Sequence, residues 1–160
     1  MKRISFIIIL VLAPFMLNAI VSPITPELLE EPSPRQELPD SNKGLQMNIT
    51  SSEFEQSELK IELNIQNSSE SMFGYGEFFY IEKKIEGMWY MLVFDDIVFT
   101  DFSAFDNYGK AISPGEIKTV KINLGDYSLS PDRGEYRIVK AFRYHGGTKV
   151  FWLTDEFKVI

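Results

Sequence analysis

The only histidine among the chain's 160 residues is His145, and there is no cysteine. A serine nucleophile needs a base held by a third group, and a zinc site needs three or four side-chain ligands. His145 lies in a His-Gly-Gly stretch that indicates an exposed turn, and no G-x-S-x-G motif accompanies it. We therefore expect no catalytic residue, no cofactor and no enzyme activity.

Four aspartates between the predicted strands could offer oxygen ligands to calcium. Their spacing does not match an EF-hand loop, and solvated loop carboxylates are the alternative that we favour. No metal ligand is therefore assigned, although calcium stays open for this group. The four residues are Asp95, Asp96, Asp101 and Asp106.

Aromatic side chains make up 14% of the residues, and several fall where a strand must present some of them to solvent. Flat exposed rings bind sugars or protein partners. The alternative, which we favour, is that most of them complete the core or cover a sheet face. The candidate ligand-contact residues are Phe78, Tyr80, Trp89 and Trp152, with Tyr144 beside them.

The net charge of -7 is acidic, and 44% of the residues are hydrophobic. This composition supports one packed domain of ordinary size. An acidic surface repels phosphate backbones and anionic lipid headgroups. We therefore expect no nucleic-acid partner and no membrane docking through the folded domain.

Residues 1–21 have the pattern of an export signal. Lys2 and Arg3 precede an apolar run from Ile4 to Val21, and cleavage after Ala19 fits the usual small-residue pattern. The alternative is a retained anchor, because 18 residues lie at the short end of what spans a bilayer. Either interpretation predicts a protein that is secreted or attached to the outer face of the cytoplasmic membrane.

Residues 22–43 are predicted to be an acidic, proline-rich linker. Proline fixes φ and removes a donor, so we expect an extended and solvated connector with a reach of up to ~65 Å. Five of the eight prolines lie here: Pro23, Pro26, Pro32, Pro34 and Pro39.

From residue 44 onward the apolar residues recur with period two, which predicts an all-β domain over residues 44–160. Asp95–Lys110 is predicted to be irregular or helical and to cover one end of the core. Seven strands are expected near residues 45–49, 58–66, 72–85, 88–94, 117–124, 136–142 and 149–160.

Lys140 interrupts this alternation. It shares parity with Ile138 and Phe142, so strict alternation would bury its ammonium group. We predict a bulge there, or a position at the sheet end where the amine reaches water. Gly74 and Gly76 independently indicate a bulge or a close backbone approach in the third predicted strand.

Asp132, Gly134 and Tyr136 fit the tyrosine corner that opens strand F in immunoglobulin-like sandwiches. In that motif the phenol bonds back to nearby backbone. About seven short strands in a chain of this length also suit such a sandwich. We therefore predict an immunoglobulin-like β-sandwich.

More narrowly, residues 44–160 resemble the bacterial Ig-like domains of exported proteins in Gram-positive bacteria. The resemblance implies a surface module without a known catalytic role, and it places the usual disulfide at Ile138 and either Ile61 or Leu63. The residues that carry it are Tyr75-Gly76, Tyr80-Ile81-Glu82-Lys83, Gly87-Met88-Trp89, Ser113-Pro114-Gly115, Gly134-Glu135-Tyr136-Arg137-Ile138 and Glu156-Phe157.

The functional prediction is a non-catalytic extracellular module that contacts a protein or another cell-envelope component. One alternative is a carbohydrate-binding module that uses the exposed aromatic side chains. A protease inhibitor that presents Asp95–Lys110 as its loop is a further alternative. The ligand, the oligomeric state and the removal of the leader are left open.

Overall fold

The computed structural model describes residues 27–57, 59–94 and 109–160. Within these ranges the chain forms ten β-strands and a 3-10 turn over Leu124–Tyr127. The strands are β1 (Ser41–Asn42), β2 (Leu45–Ile49), β3 (Glu53–Phe54), β4 (Lys60–Asn67), β5 (Phe73–Ile85), β6 (Met88–Met91), β7 (Lys110–Ile112), β8 (Ile117–Asn123), β9 (Gly134–Tyr144) and β10 (Val150–Val159).

The strands form two sheets that pack as a sandwich, which confirms the predicted all-β, Ig-like fold. The first sheet has the order β1-β2-β4-β8, and the second has the order β3-β10-β9-β5-β6, with β7 also paired to β5. The seven predicted strands correspond to β2, β4, β5, β6, β8, β9 and β10. The other three span two or three residues, too few for alternation to reveal them.

A single apolar cluster fills the space between the sheets. In β4 the alternate residues Ile61, Leu63 and Ile65 are fully buried, as period two requires for a strand with one wet face. Ile138 of β9 is fully buried in the same cluster. Apolar side chains therefore occupy the positions at which the family resemblance places a disulfide.

The hydroxyl of Tyr136 forms hydrogen bonds to Asp132 in the connection that leads into β9. The phenol oxygen lies 2.8 Å from the carbonyl oxygen of Asp132 and 2.6 Å from its carboxylate, and Lys83 Nζ lies 2.5 Å from that carboxylate. Burial alone would raise the pKa of Asp132, but the hydrogen bonds from Lys83 and Tyr136 outweigh it and lower that pKa. A side chain at Gly134 would place its Cβ 3.1 Å from Lys83 Cε, so a glycine suits the crossing of the lysine.

Residues 27–40, called the strap from here on, lie against the second sheet. They first line the outer edge of β6 and then cross the outer face of the sheet to β10. Over these residues the connector that the prolines predict is therefore docked, although most of its side chains are exposed. Its backbone bonds run from Val93 N to Glu27 O (2.9 Å), Leu29 N to Met91 O (2.9 Å), Ser33 N to Trp89 O (2.8 Å) and Thr154 N to Pro39 O (2.9 Å).

The docked strap has a physical consequence for the sheet. An edge strand presents a row of unpaired N–H and C=O groups that can template pairing with another chain. The strap covers that row on β6. The division of the chain into residues 1–21, 22–43 and 44–160 stays a prediction, because residues 1–26 lie outside the described part.

Candidate interaction surface

The outer face of the second sheet brings three of the predicted aromatic residues together. The ring centroids of Phe78 and Tyr80 are 6.0 Å apart, and those of Tyr80 and Trp152 are 5.5 Å apart. Each of the three side chains is partly exposed. A groove of about 180 Å³ lies beside them, lined by Gly76, Phe78, Ala141, Val150 and Trp152.

We call Phe78, Tyr80, Val150 and Trp152 the aromatic patch. Its rings are tilted against each other by 53° and 54°, so they do not form one flat platform. Val150 is 48% exposed at the rim of the groove. Burial, and then the charge of Glu82, raise the pKa of Tyr80 to about 12, so its hydroxyl remains a neutral hydrogen-bonding group at physiological pH. The patch thus offers apolar surface with one phenolic donor.

Trp89, the fourth predicted aromatic residue, lies apart from this patch. Only 5% of it is exposed, and the guanidinium of Arg137 lies 4.6 Å from its ring centroid. The side chain of Gln36 accepts a hydrogen bond from Trp89 N at 2.8 Å, which fixes the strap to the tryptophan. In this structure the ring of Trp89 therefore packs beneath a cation and the strap.

Arg137 and Glu82 form a buried ion pair that sequence reasoning missed. They lie directly opposite each other on β9 and β5, on the outer face of the sheet, and each side chain is 2% exposed. Arg137 Nε donates to Glu82 Oε2, while its terminal nitrogens donate to the carbonyls of Gln36 (2.8 Å) and Arg35 (2.7 Å). Alternation assigns both residues to a solvent face. The Trp89 ring and the strap carbonyls of Arg35 and Gln36 cover the guanidinium, and no sequence signal placed the strap there.

Lys140 lies on the opposite, core-facing side of β9 and is 1% exposed. The bulge predicted at Lys140 lies not in β9 but across from it in β5, where the register shifts between Tyr75 and Phe79. This is the strand in which Gly74 and Gly76 predicted a bulge. The Lys140 ammonium donates to the carbonyls of Gly76 (2.6 Å) and Phe78 (3.1 Å) within that bulge. The alternative prediction, a sheet end where the amine reaches water, is wrong, because the bulge carbonyls satisfy the charge inside the protein.

The other residues that were considered for catalysis or metal binding do not form a site in the described structure. His145 lies in an exposed turn, with its backbone N–H donated to the carbonyl of Met72. Asp95, Asp96, Asp101 and Asp106 lie outside the described residues. Among the residues that are described, there is no group of three or more acidic or histidine side chains that could hold a metal ion.

A second, more polar cleft lies where β3, β9 and β10 meet, with a volume of about 390 Å³. In it Glu135 lies 3.6 Å from Lys84 and 3.9 Å from Lys158, and all three side chains are about a third exposed or more. Ion pairs this open to solvent contribute little, so the cleft is an ordinary charged rim. The lining residues are Ser52, Glu53, Lys84, Glu135, Glu156, Phe157 and Lys158.

The two packed sheets and the tyrosine corner define an immunoglobulin-like β-sandwich. A family model described as bacterial Ig-like domain matches residues 41–158, and the chain belongs to that family. No curated protein matches the chain. Domains of this family are generally non-catalytic and typically extracellular or surface-exposed. Over the part of the chain that the structure describes, no helix is long and apolar enough to cross a bilayer.

Proposed function

We propose that the chain is an exported, non-catalytic surface module that binds a protein of the cell envelope through the aromatic patch. One observation carries the proposal: partly exposed rings and an exposed valine border an apolar groove on a sheet face. Interface centres are enriched in tyrosine and tryptophan set in apolar pockets of this kind. The acidic charge of the chain, -7, argues against a phosphate-rich partner.

The predicted export signal in residues 1–21 supports an extracellular compartment. A positive n-region followed by an apolar run is the pattern of a leader, and a retained run would hold the domain at the outer face of the membrane. N-terminal sequencing of the protein recovered from cells tests this part. A start at Ile20 indicates cleavage after Ala19, whereas a start at residue 1 or 2 in the membrane fraction indicates an anchor.

A carbohydrate ligand is the second candidate, because Tyr80 and Trp152 are adjacent and both partly exposed. Sugar rings stack best on flat aromatic faces, and the 53° between these two rings provides only one such face at a time. This geometry favours a protein partner, whose side chains can follow a tilted and grooved surface. The inhibitor alternative depends on Asp95–Lys110, of which residues 95–108 lie outside the described part.

The experiment is site-specific photo-crosslinking in the full chain on intact cells. A photoreactive residue at Val150 reports on the patch. Ile117 is the matched control, because it is 61% exposed but lies on the other sheet. We expect protein adducts at Val150 that are absent at Ile117 and that are lost when Trp152→Ala is added.

Two results would contradict the proposal in different ways. Equal adducts at Val150 and Ile117 would show that contact is not specific to the patch. Retention of the full chain on purified peptidoglycan, abolished by Trp152→Ala or Tyr80→Ala without protein adducts at Val150, would favour the carbohydrate ligand instead.

A further inference from the structure

The strap fits a site that the strap of a second molecule would fit equally well. We propose that two copies of the chain exchange straps, so that residues 27–36 of each copy pair with β6 of the other. The partner is a second copy because this sequence is the occupant that the structure shows to be complementary to the site.

Complementarity begins with the backbone and side-chain contacts of Gln36. The side-chain nitrogen Nε2 of Gln36 donates to the backbone carbonyls of Trp89 (3.1 Å) and Ser33 (2.8 Å), and its side-chain oxygen Oε1 accepts from Trp89 N (2.8 Å). Arg137 adds two bonds to strap carbonyls. These contacts follow from the strap's own sequence and backbone path, so an identical strap reproduces all of them.

Little apolar burial holds the strap to its own domain. Most of its side chains are exposed, and Leu28 is its one apolar member packed against the core cluster, where it is only partly buried. Ser33 is buried, but its hydroxyl has no hydrogen-bond partner among the described atoms. Release therefore loses mainly hydrogen bonds that water can replace on the strap, each of which contributes a modest net free energy.

The site that the strap leaves is harder to satisfy. Without a strap the guanidinium of Arg137 loses two carbonyl acceptors, and the outward N–H and C=O groups of Trp89 lose their partners. An open edge of this kind recruits another strand. A strap that is released from one molecule is therefore replaced, and exchange restores every contact.

The hinge lies between the strap's two attachments. Thr154 N and Met47 N bind the carbonyls of Pro39 and Asp40, which keeps those two residues on their own domain. Residues 37 and 38 are then the pivot, and the ten residues before them span up to ~33 Å when extended. A hinge of only two residues is short enough to invite exchange between copies, and reciprocal exchange gives a closed two-fold dimer.

The test uses the absence of cysteine from the natural chain. Leu28 and Leu92 lie directly opposite each other where the strap meets the sheet, so the single variants Leu28→Cys and Leu92→Cys are mixed as full chains and oxidised. Exchange predicts a disulfide between copies that joins the two introduced thiols. We expect it to exceed the yield with Thr119→Cys plus Leu92→Cys, an off-strap control, about tenfold or more, because docking raises the effective concentration of the thiols.

The double variant Leu28→Cys/Leu92→Cys completes the design. Oxidised in dilute solution, it locks the strap in its own molecule, so light scattering should show a monomer where the unmodified chain forms dimers. The proposal is overturned if the double variant closes within one chain while the mixed single variants give no more product than the control. Failure of the double variant to close would overturn it too, because the strap would then not occupy this site.

Discussion

Arg137 and Lys140 are two buried cations on one strand, three residues apart, and they are neutralised in different ways. Arg137 faces outward and meets a carboxylate as well as two carbonyls of the strap. Lys140 faces the core and meets bulge carbonyls, with the ring centroid of Tyr75 5.5 Å away. A carboxylate contacts Arg137 directly, whereas Lys140 is contacted by carbonyl dipoles and a ring face, and the charges of Glu77 and Lys110 act on it from farther away.

The difference shows what each cation does to the fold. A buried charge that loses its paired charge is left uncompensated, which is among the most destabilising changes a core can suffer. A lysine that is held by dipoles can instead shed its proton, so its contribution depends on pH. Arg137 thus holds the strap through an ion pair and two carbonyl bonds, whereas the contribution of Lys140 to stability changes with pH in the alkaline range.

The largest expected change in stability comes from breaking the ion pair between Arg137 and Glu82. Arg137→Met leaves the Glu82 carboxylate buried without its cation, and we expect a loss of about 3–5 kcal/mol in the free energy of unfolding. Urea denaturation followed by tryptophan fluorescence measures it. Adding Glu82→Met should recover most of the loss, because both charges are then gone. Equal losses in the single and double variants would show that the pair is not the relevant interaction.

The next effect concerns Lys140 and pH. Burial lowers its pKa from 10.5 to about 8. In the unfolded chain Lys140 keeps its ordinary pKa of 10.5 and therefore binds its proton more tightly than in the folded protein. The stability that Lys140 contributes is greatest above pH 10.5 and decreases as the pH falls toward 8. Between pH 8 and pH 10.5 the contribution of Lys140 to stability should therefore rise by up to about 3 kcal/mol. Buried tyrosines with a raised pKa act in the opposite direction over this range, so the rise is measured by urea denaturation as the difference between the unmodified chain and a variant without the ammonium group.

Lys140→Met supplies the control for that prediction. The variant leaves the bulge carbonyls without a donor, which lowers stability by about 1–3 kcal/mol relative to the alkaline form of the unmodified chain. Its stability should lack the rise between pH 8 and pH 10.5. A rise of the same size in the variant would assign the pH dependence to other groups and remove the contrast with Arg137.

The smallest effect tests a neutral polar group on the same strand. Tyr136→Phe removes the hydroxyl that binds Asp132, and we expect a loss of about 1–2 kcal/mol. Thermal denaturation compares it with Tyr144→Phe, a change at a tyrosine that is 40% exposed and should alter stability by less than about 0.5 kcal/mol. Similar melting temperatures for the two variants would mean that the corner bond contributes nothing measurable.

Alternation predicted the sandwich because the strands that matter are long and amphipathic, as Ile61, Leu63 and Ile65 show. It also singled out Lys140, since a lysine at a core position breaks the pattern. It could not identify Arg137 and Glu82 as buried. Their burial depends on a strap whose prolines and acidic residues are typical of a solvated linker, and on a cross-strand register that local sequence does not encode.

The aromatic patch was predicted only in part. The sequence named Phe78, Tyr80 and Trp152 as candidates and placed the first two on one face of β5. Only the structure shows that Trp152 of β10, two strands away, lies beside Tyr80. Trp89 has an equally amphipathic context, yet the strap covers it. Whether an outward ring on a sheet is exposed thus depends on tertiary contacts that are remote in the chain.

The docked strap also shortens the free chain between the N-terminal apolar run and the folded domain. If the apolar run stays in the membrane, only residues 22–26 bridge the lipid surface and the first docked residue, roughly 16 Å of extended chain. The domain would then lie within about that distance of the lipid surface. Release of residues 27–36 from the sheet would lengthen that connection by up to ~33 Å, so the docked strap sets how far the domain lies from its point of attachment.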